Sequence, residues 1–288
     1  MLSYYLYLAV FFYAAAMLSV FLTKRMALPI ALISVGLCFA LAAGYVSVFS
    51  LPFFLLIFYV TNVYFTAQST WAKVVAGSGF FLIGVFTFSS LIPDVRQWRC
   101  FEAVQLSEGA LPFTFQFLFD VPLIGLAVIL FAVPSVCTKA EWLTVFQVLK
   151  RLIPCMLVTI CSMALLMHYV NWDFKLTPLF FLWSLSNLFF VCVTEEAIFR
   201  RFFQDTFRQL FKRFAYGDYM AIAVASLLFG IAHFAGGMLY VILATVAGGF
   251  YGWAYYKTAR LEASILAHYS MNAVHFVFFT YPVLSSAL

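Results

Sequence analysis

Two adjacent carboxylates and a guanidinium stand out because they adjoin a strongly apolar stretch. Residues 194–201 read TEEAIFRR and follow the apolar residues 179–193. An ionisable side chain at bilayer depth costs about 3 kcal/mol to insert, so it usually faces a bundle interior and marks a functional site. If the stretch is helical, Glu196 and Arg200 are four residues apart and can pair, whereas Glu195 points about 100° away. The spacing predicts one carboxylate held by its own helix and one that is free to do chemistry.

Further polar side chains lie in apolar segments downstream. His233 ends one segment, four residues after Phe229, and His268 lies four residues before Asn272 in the last segment. A rise of 1.5 Å per residue places Glu195, His233 and His268 near the middle of a core about 30 Å thick. Packing alone is a poor explanation for such a group, because each buried charge or imidazole would need its own compensation.

Other polar residues have ordinary structural interpretations. A single intramembrane histidine often hydrogen-bonds a neighbouring helix, which is as good an explanation for His275 as function and a better one for His168. The pair Glu196 and Arg200 is expected to be structural and to position its neighbour. Asp120, followed by Val121 and Pro122, is expected to cap the start of a helix.

The composition indicates a polytopic membrane protein. Of the 288 residues, 66% are hydrophobic and only 9% charged, whereas soluble domains carry about 25% charged residues. Mean hydropathy is +1.04. A formal charge of +5 fits basic cytoplasmic loops, and no basic run or zinc-finger spacing points to nucleic acid. The six cysteines have no paired spacing and are expected to be free, behaving as small hydrophobic residues.

We predict an all-α fold, a polytopic bundle of about 8–10 transmembrane helices that forms a single integrated membrane domain. Residues 1–170 would supply helices of unassigned role, and residues 171–288 the catalytic-type helices. Residues 93–109 are expected to be a surface loop or interfacial helix. The apolar segments are roughly 4–23, 27–47, 51–67, 75–92, 112–134, 145–169, 177–204, 219–236, 238–256 and 261–281.

The positive charges predict the orientation. If Lys24 and Arg25 are cytoplasmic, alternation leaves only Arg96, Arg99 and Lys175 outside, and so 13 of the 16 Lys and Arg residues inside, as the positive-inside rule requires. Residues 200–214 would continue the Glu-bearing helix along the cytoplasmic interface. We expect no cleavable signal at the N-terminus, because it lacks a basic region.

The motifs resemble those of the CAAX prenyl endopeptidase and bacteriocin-processing family of intramembrane proteases. Glu195, Glu196 and Arg200 match its Glu-Glu-x-x-x-Arg motif. Phe229 and His233 match Phe-x-x-x-His, and His268 and Asn272 match His-x-x-x-Asn. The resemblance covers roughly residues 190–280, so the N-terminal helices and the substrate specificity stay open.

The resemblance implies that Glu195 and His233 hold and deprotonate a water that attacks a peptide carbonyl, while His268 and Asn272 stabilise the oxyanion. Glu196, Arg200 and Phe229 would support them. Donors on a rigid helix contribute on the order of 3 kcal/mol each in comparable sites. One Glu and two His could ligate zinc, but the H-E-x-x-H spacing is absent, so we expect a metal-free enzyme without cofactor.

The expected partners are a membrane-associated, possibly lipidated peptide or protein substrate and the lipid bilayer. The expected location is a prokaryotic inner (plasma) membrane, with the active site opening toward the cytoplasm. Two alternatives stay open. A proton-coupled transporter would also bury Glu, Arg and His, although such carriers commonly show repeated halves. A non-proteolytic scaffold could keep the same helices.

Overall fold

The computed structural model describes residues 2–23, 25–132 and 138–287. Helices dominate, and one two-stranded sheet interrupts them. The elements are α1 (Leu2–Leu22), α2 (Ala27–Ala42), α3 (Leu51–Thr66), α4 (Thr70–Phe88), β1 (Trp98–Val104), β2 (Phe113–Phe117), α5 (Val121–Ala132), α6 (Lys139–Leu166), α7 (Leu179–Phe211), α8 (Gly217–Ala232), α9 (Gly237–Thr258) and α10 (Leu261–Phe278).

The predicted fold class is confirmed. Each of the ten predicted apolar segments contains a helix. Within the described ranges, five helices are long and apolar enough to cross a membrane, and four shorter apolar helices accompany them. The five are α1, α4, α6, α7 and α9. The chain is therefore a membrane-integral helical protein.

The prediction for the polar connection after α4 was wrong in one respect. Residues 98–104 form a strand that pairs with residues 113–117, instead of a loop or interfacial helix. The predicted apolar segment 112–134 therefore contains a strand before its helix. The sequence of β2 is Phe-Thr-Phe-Gln-Phe, and this strict alternation is typical of a half-buried strand.

The chain divides into two compact units, and α7 contributes to both. The first unit comprises Met1–Cys100, Gln116–Ser135 and Phe189–Thr194. In its interior the Tyr13 hydroxyl of α1 donates a hydrogen bond to the Phe119 carbonyl at 2.8 Å. Asp120 immediately precedes α5, and its Oδ1 accepts a hydrogen bond from the Val121 amide at 2.9 Å; its role as a helix cap stays a prediction.

The second unit comprises Phe101–Phe115, Val136–Leu188 and Glu195–Leu288. At one end its loops form a hydrogen-bonded cap. The Asp173 amide donates to the Phe278 carbonyl at 2.9 Å, and the Thr280 amide donates to the Asn171 carbonyl at 2.9 Å. The Lys175 ammonium donates to the Phe279 carbonyl and so fixes the end of α10.

The expectation about cysteines is confirmed for the described residues. Cys38, Cys100, Cys155 and Cys161 are free thiols, and Cys192 is buried. Cys137 lies outside the described residues, as does Lys24, one of the charges used to predict the orientation. The proposed boundary of roles at residue 170 stays a prediction.

Candidate active site

The helix that carries the two glutamates is not a regular α-helix. Within α7, residues Asn187–Cys192 and Ala197–Gln204 are wound as π-helix, and Val193–Glu196 between them as α-helix. Such π-helical turns occur frequently at functional sites, because they change the directions in which successive side chains point. The two glutamates therefore lie at a local change of helical winding.

Glu196 lies at the centre of a buried charge network. Arg200 Nε donates to Glu196 Oε2 at 2.8 Å, and both side chains are 0% exposed. The other carboxylate oxygen, Oε1, accepts a hydrogen bond from Nδ1 of His268 on α10, 2.9 Å away. The predicted pairing of Glu196 with Arg200 is confirmed. The bond to His268 is an additional contact that sequence spacing could not predict.

Glu195 points into a different environment. Its Oε2 atom lies 3.7 Å from His233 Nε2 and 3.9 Å from His268 Nε2. This oxygen is buried and has no hydrogen-bond partner among the described residues. A carboxylate oxygen and two imidazole nitrogens, from α7, the end of α8 and α10, thus converge on one small region.

In both imidazoles Nδ1, the nitrogen that faces away from Glu195, has an oxygen as its hydrogen-bond partner. His233 Nδ1 lies 2.7 Å from the Phe229 carbonyl oxygen. Because a carbonyl or carboxylate oxygen only accepts, each Nδ1 must carry the proton. Nε2 of each ring is then directed at Glu195. The tautomers are inferred from these partners.

Asn272 is held by a residue that sequence reasoning missed. Its Nδ2 donates to Asn187 Oδ1 on α7 at 3.2 Å, and Asn187 is buried. This bond fixes the amide of Asn272 one turn after His268. An asparagine inside the apolar run of α7, eight residues before Glu195, was the available signal.

Aromatic rings enclose the two histidines. The Phe229 ring centroid lies 4.5 Å from that of His233 and 5.6 Å from that of His268. The guanidinium carbon of Arg200 lies 5.5 Å from the same Phe229 centroid. Tyr251 of α9 stacks on His268 with centroids 4.6 Å apart. Phe229 therefore contacts both histidines, and the supporting role that the family resemblance implies for it stays a prediction. Tyr251 had no distinguishing signal among 16 tyrosines.

Four of the predicted site residues, Phe229, His233, His268 and Asn272, line a small cavity in the second unit, whereas Glu195 is not part of its lining. Its volume is about 70 Å³, enough for a few water molecules, since a water needs roughly 10–15 Å³ by this measure. Its walls come from α6, α8, α9 and α10 and from residues just beyond helix ends, among them Tyr169, Val170 and Phe279. Among its lining residues are Phe229, His233, Tyr240, Tyr251, His268 and Asn272.

The buried arginine requires a glycine on the opposing helix. A Cβ on Gly252 of α9 would lie 2.8 Å from Gln204 Oε1 and 3.2 Å from Arg200 Nη1, whereas a Cβ on Gly249 would meet nothing within 4 Å. We therefore expect Gly252→Ala to lower both the melting temperature and any activity, because it displaces Arg200 from Glu196. Gly249→Ala is the matched control and should match the wild type in a thermal-shift assay. Equal melting temperatures for both variants would contradict this packing.

Residues 177–274, about a third of the chain, match the family model described as type II CAAX prenyl endopeptidase Rce1-like. This segment is an Rce1-like domain. The match confirms the family that the motifs resemble, and the domain contains every predicted site residue from Glu195 to Asn272. No curated protein and no solved structure matches the chain.

The side chains that converge in the Rce1-like domain raise the question of metal binding. In the described part of the chain, no group of three or more His, Cys, Asp or Glu side chains is arranged to hold a metal ion. All three converging groups, Glu195, His233 and His268, nevertheless belong to residue types that bind zinc. Metal dependence is therefore a question for direct measurement.

Proposed function

We propose that the protein is an intramembrane endopeptidase in which Glu195 activates a water to hydrolyse a peptide bond of a membrane-associated substrate. The Rce1-like domain supports a CAAX-type intramembrane endopeptidase in general. The observation that carries the finer proposal is that Glu195 Oε2 lies 3.7 Å from His233 Nε2 and 3.9 Å from His268 Nε2. A water placed among these atoms can be held and deprotonated at once.

In the proposed reaction Glu195 is the general base. The water hydrogen-bonds to Glu195 Oε2 and to His233 Nε2, and transfers a proton to the carboxylate as its oxygen attacks the carbonyl carbon. General bases contribute typically 10²- to 10⁴-fold to such steps. The protonated Glu195 then gives the proton to the departing amine as the C–N bond breaks, leaving a carboxylic acid and an amine as products.

His268 and Asn272 are proposed to stabilise the oxyanion. Nδ1 of His268 already donates to Glu196, so donation from Nε2 requires the imidazolium. The Glu196 carboxylate is placed to pair with that charge. Asn187 holds the Asn272 amide, so both donors are oriented before substrate binds. Preorganised donors of this kind typically contribute 10²- to 10³-fold.

Cleavage of a defined peptide tests the proposal. The purified protein in nanodiscs is incubated with a farnesylated peptide ending in a CAAX-type tetrapeptide and with the same peptide lacking the lipid, and products are identified by mass spectrometry. Cleavage on the C-terminal side of the modified cysteine would support a CAAX-type reaction. Absence of cleavage of either peptide, together with proton-coupled solute uptake in liposomes, would favour the transporter alternative.

Activity should survive removal of divalent metal. If Glu195 and His233 alone activate the water, prolonged treatment with EDTA or 1,10-phenanthroline followed by gel filtration should leave the cleavage rate unchanged. Zinc content is measured on the same sample by atomic absorption. Loss of activity that added zinc restores would overturn the metal-free mechanism.

We also propose that the site opens toward the cytoplasm of a prokaryotic cell, because basic residues concentrate at 200–214 and 257–260. Arg213 and Lys257 are exposed, so cysteines introduced there in a variant lacking native thiols should react with an impermeant maleimide only from the cytoplasmic face. A cysteine at Glu108 is the matched probe of the opposite face. Labelling of positions 213 and 257 in intact cells would show that the orientation is the reverse of the one proposed.

A further inference from the structure

A second, larger and more open groove lies between α6 and α9, and none of the proposed catalytic residues lines it. Its volume is about 1150 Å³, larger than the roughly 300–1,000 Å³ of drug-sized ligand pockets. We call it the basic groove. It is lined by Thr144, Gln147, Val148, Lys150, Arg151, Leu152 and Cys155 of α6 and by Val246, Gly249, Phe250, Trp253 and Lys257 of α9.

The charged residues of the basic groove all have the same sign. Lys150, Arg151 and Lys257 line it, and its described lining contains no acidic residue. All three basic side chains are exposed. The nearby Glu141 is paired with Arg260 and so does not neutralise them. The groove therefore offers a concentrated positive charge to an anion.

Apolar residues of the groove adjoin these charges on both helices. On α6 the apolar residues from Leu152 onward follow Arg151 directly, and on α9 Val246, Phe250 and Trp253 precede Lys257. The Lys257 ammonium lies 4.6 Å from the Trp253 ring centroid, as expected for a pair at the membrane interface. We therefore place the three charges at headgroup level, with the apolar lining extending from them toward the bilayer core.

We propose that the basic groove binds an anionic phospholipid, with its phosphate between Lys150, Arg151 and Lys257 and an acyl chain along α6 and α9. Basic pockets between transmembrane helices are known to suit anionic headgroups. A zwitterionic lipid matches the apolar walls equally well but lacks the net charge. The site is independent of the proposed proteolysis.

Binding of defined lipids to the intact protein tests this proposal. In native mass spectrometry from detergent, phosphatidylglycerol should bind more tightly than phosphatidylcholine. Each basic side chain contributes about fivefold to anionic-lipid binding, so three predict a preference on the order of 100-fold at low salt. Lys150→Gln, Arg151→Gln and Lys257→Gln together should abolish it. Lys212→Gln with Arg213→Gln is the control outside the groove and should retain it.

Gly249 allows a steric test that leaves the charges intact. A Cβ there meets nothing within 4 Å, so Gly249→Leu should fill the groove without disturbing the fold and should weaken binding of both lipids. Gly84→Leu on α4, where a Cβ also meets nothing, is the matched control. Cys155, an exposed thiol in the groove, should react more slowly with N-ethylmaleimide when phosphatidylglycerol is added, and Cys38 should not.

Three results would overturn the proposal. Equal binding of the two lipids by the wild type would show that the groove does not recognise the charge of the headgroup. Unchanged phosphatidylglycerol binding by the triple glutamine variant would place the lipid elsewhere. Conversion of a dimer to a monomer by that variant would show that a second copy of the chain occupies the groove. Each readout is independent of peptide cleavage, so it stands whether or not the protein is a protease.

Discussion

Replacing Glu195 by glutamine should abolish peptide cleavage without destabilising the protein. The amide has the same shape as the carboxylate but cannot take a proton from water, so the rate should fall by about 10²- to 10⁴-fold. Oε2 of Glu195 has no hydrogen-bond partner among the described residues and lies 3.7 Å from His233 Nε2. Removing a poorly compensated buried charge should therefore leave the melting temperature unchanged or raise it slightly.

The measurement is the initial rate of peptide cleavage beside a thermal-shift assay on the same preparation. His233→Ala should be similarly inactive, because the second holder of the water is lost. Glu108→Gln, the same chemical change at an exposed residue, should behave as the wild type. His168→Asn is the control for histidine, since asparagine tolerates the positive φ of 52° at that position. A Glu195→Gln variant that cleaves at the wild-type rate would show that Glu195 is not the general base.

The pairing on one helix could be predicted from spacing, because it depends only on helical geometry. Glu196 and Arg200 are four residues apart on α7 and do form an ion pair. The rise per residue predicted that Glu195, His233 and His268 lie at similar depths, and Glu195 Oε2 does lie within 3.9 Å of an Nε2 atom of each histidine. Each of these inferences concerns residues within one helix or a coarse position along its axis.

Contacts that depend on how helices pack could not be predicted. The hydrogen bond from His268 to Glu196 joins residues 72 positions apart. It forms only if α10 is rotated about its own axis so that His268 faces α7. The π-helical turns of α7 also change the directions in which its side chains point, and hydrophobic periodicity does not reveal them. The strand β2 is different, because its alternation of Phe with polar residues was visible and was outweighed by the apolar character of the whole segment.

Replacing Glu196 by alanine should cost both activity and stability. The change leaves Arg200, which is 0% exposed, without its carboxylate, and removing one partner of a buried ion pair typically costs about 3–5 kcal/mol. It also removes the acceptor for His268 Nδ1, so the imidazole loses its orientation toward Glu195. We therefore expect a lower melting temperature in detergent and little or no cleavage.

A double substitution separates the two consequences. Glu196→Gln with Arg200→Met removes both charges and keeps a hydrogen-bond acceptor for His268. The double variant should therefore be more stable than Glu196→Ala. Its activity should stay low, because a neutral amide cannot pair with the His268 imidazolium. Arg201→Met, at a partly exposed arginine that pairs with Asp205, is the control for loss of a positive charge on α7. If Glu196→Ala is as stable as the wild type but inactive, Glu196 acts directly in the reaction, and the division between a structural and a catalytic glutamate is wrong.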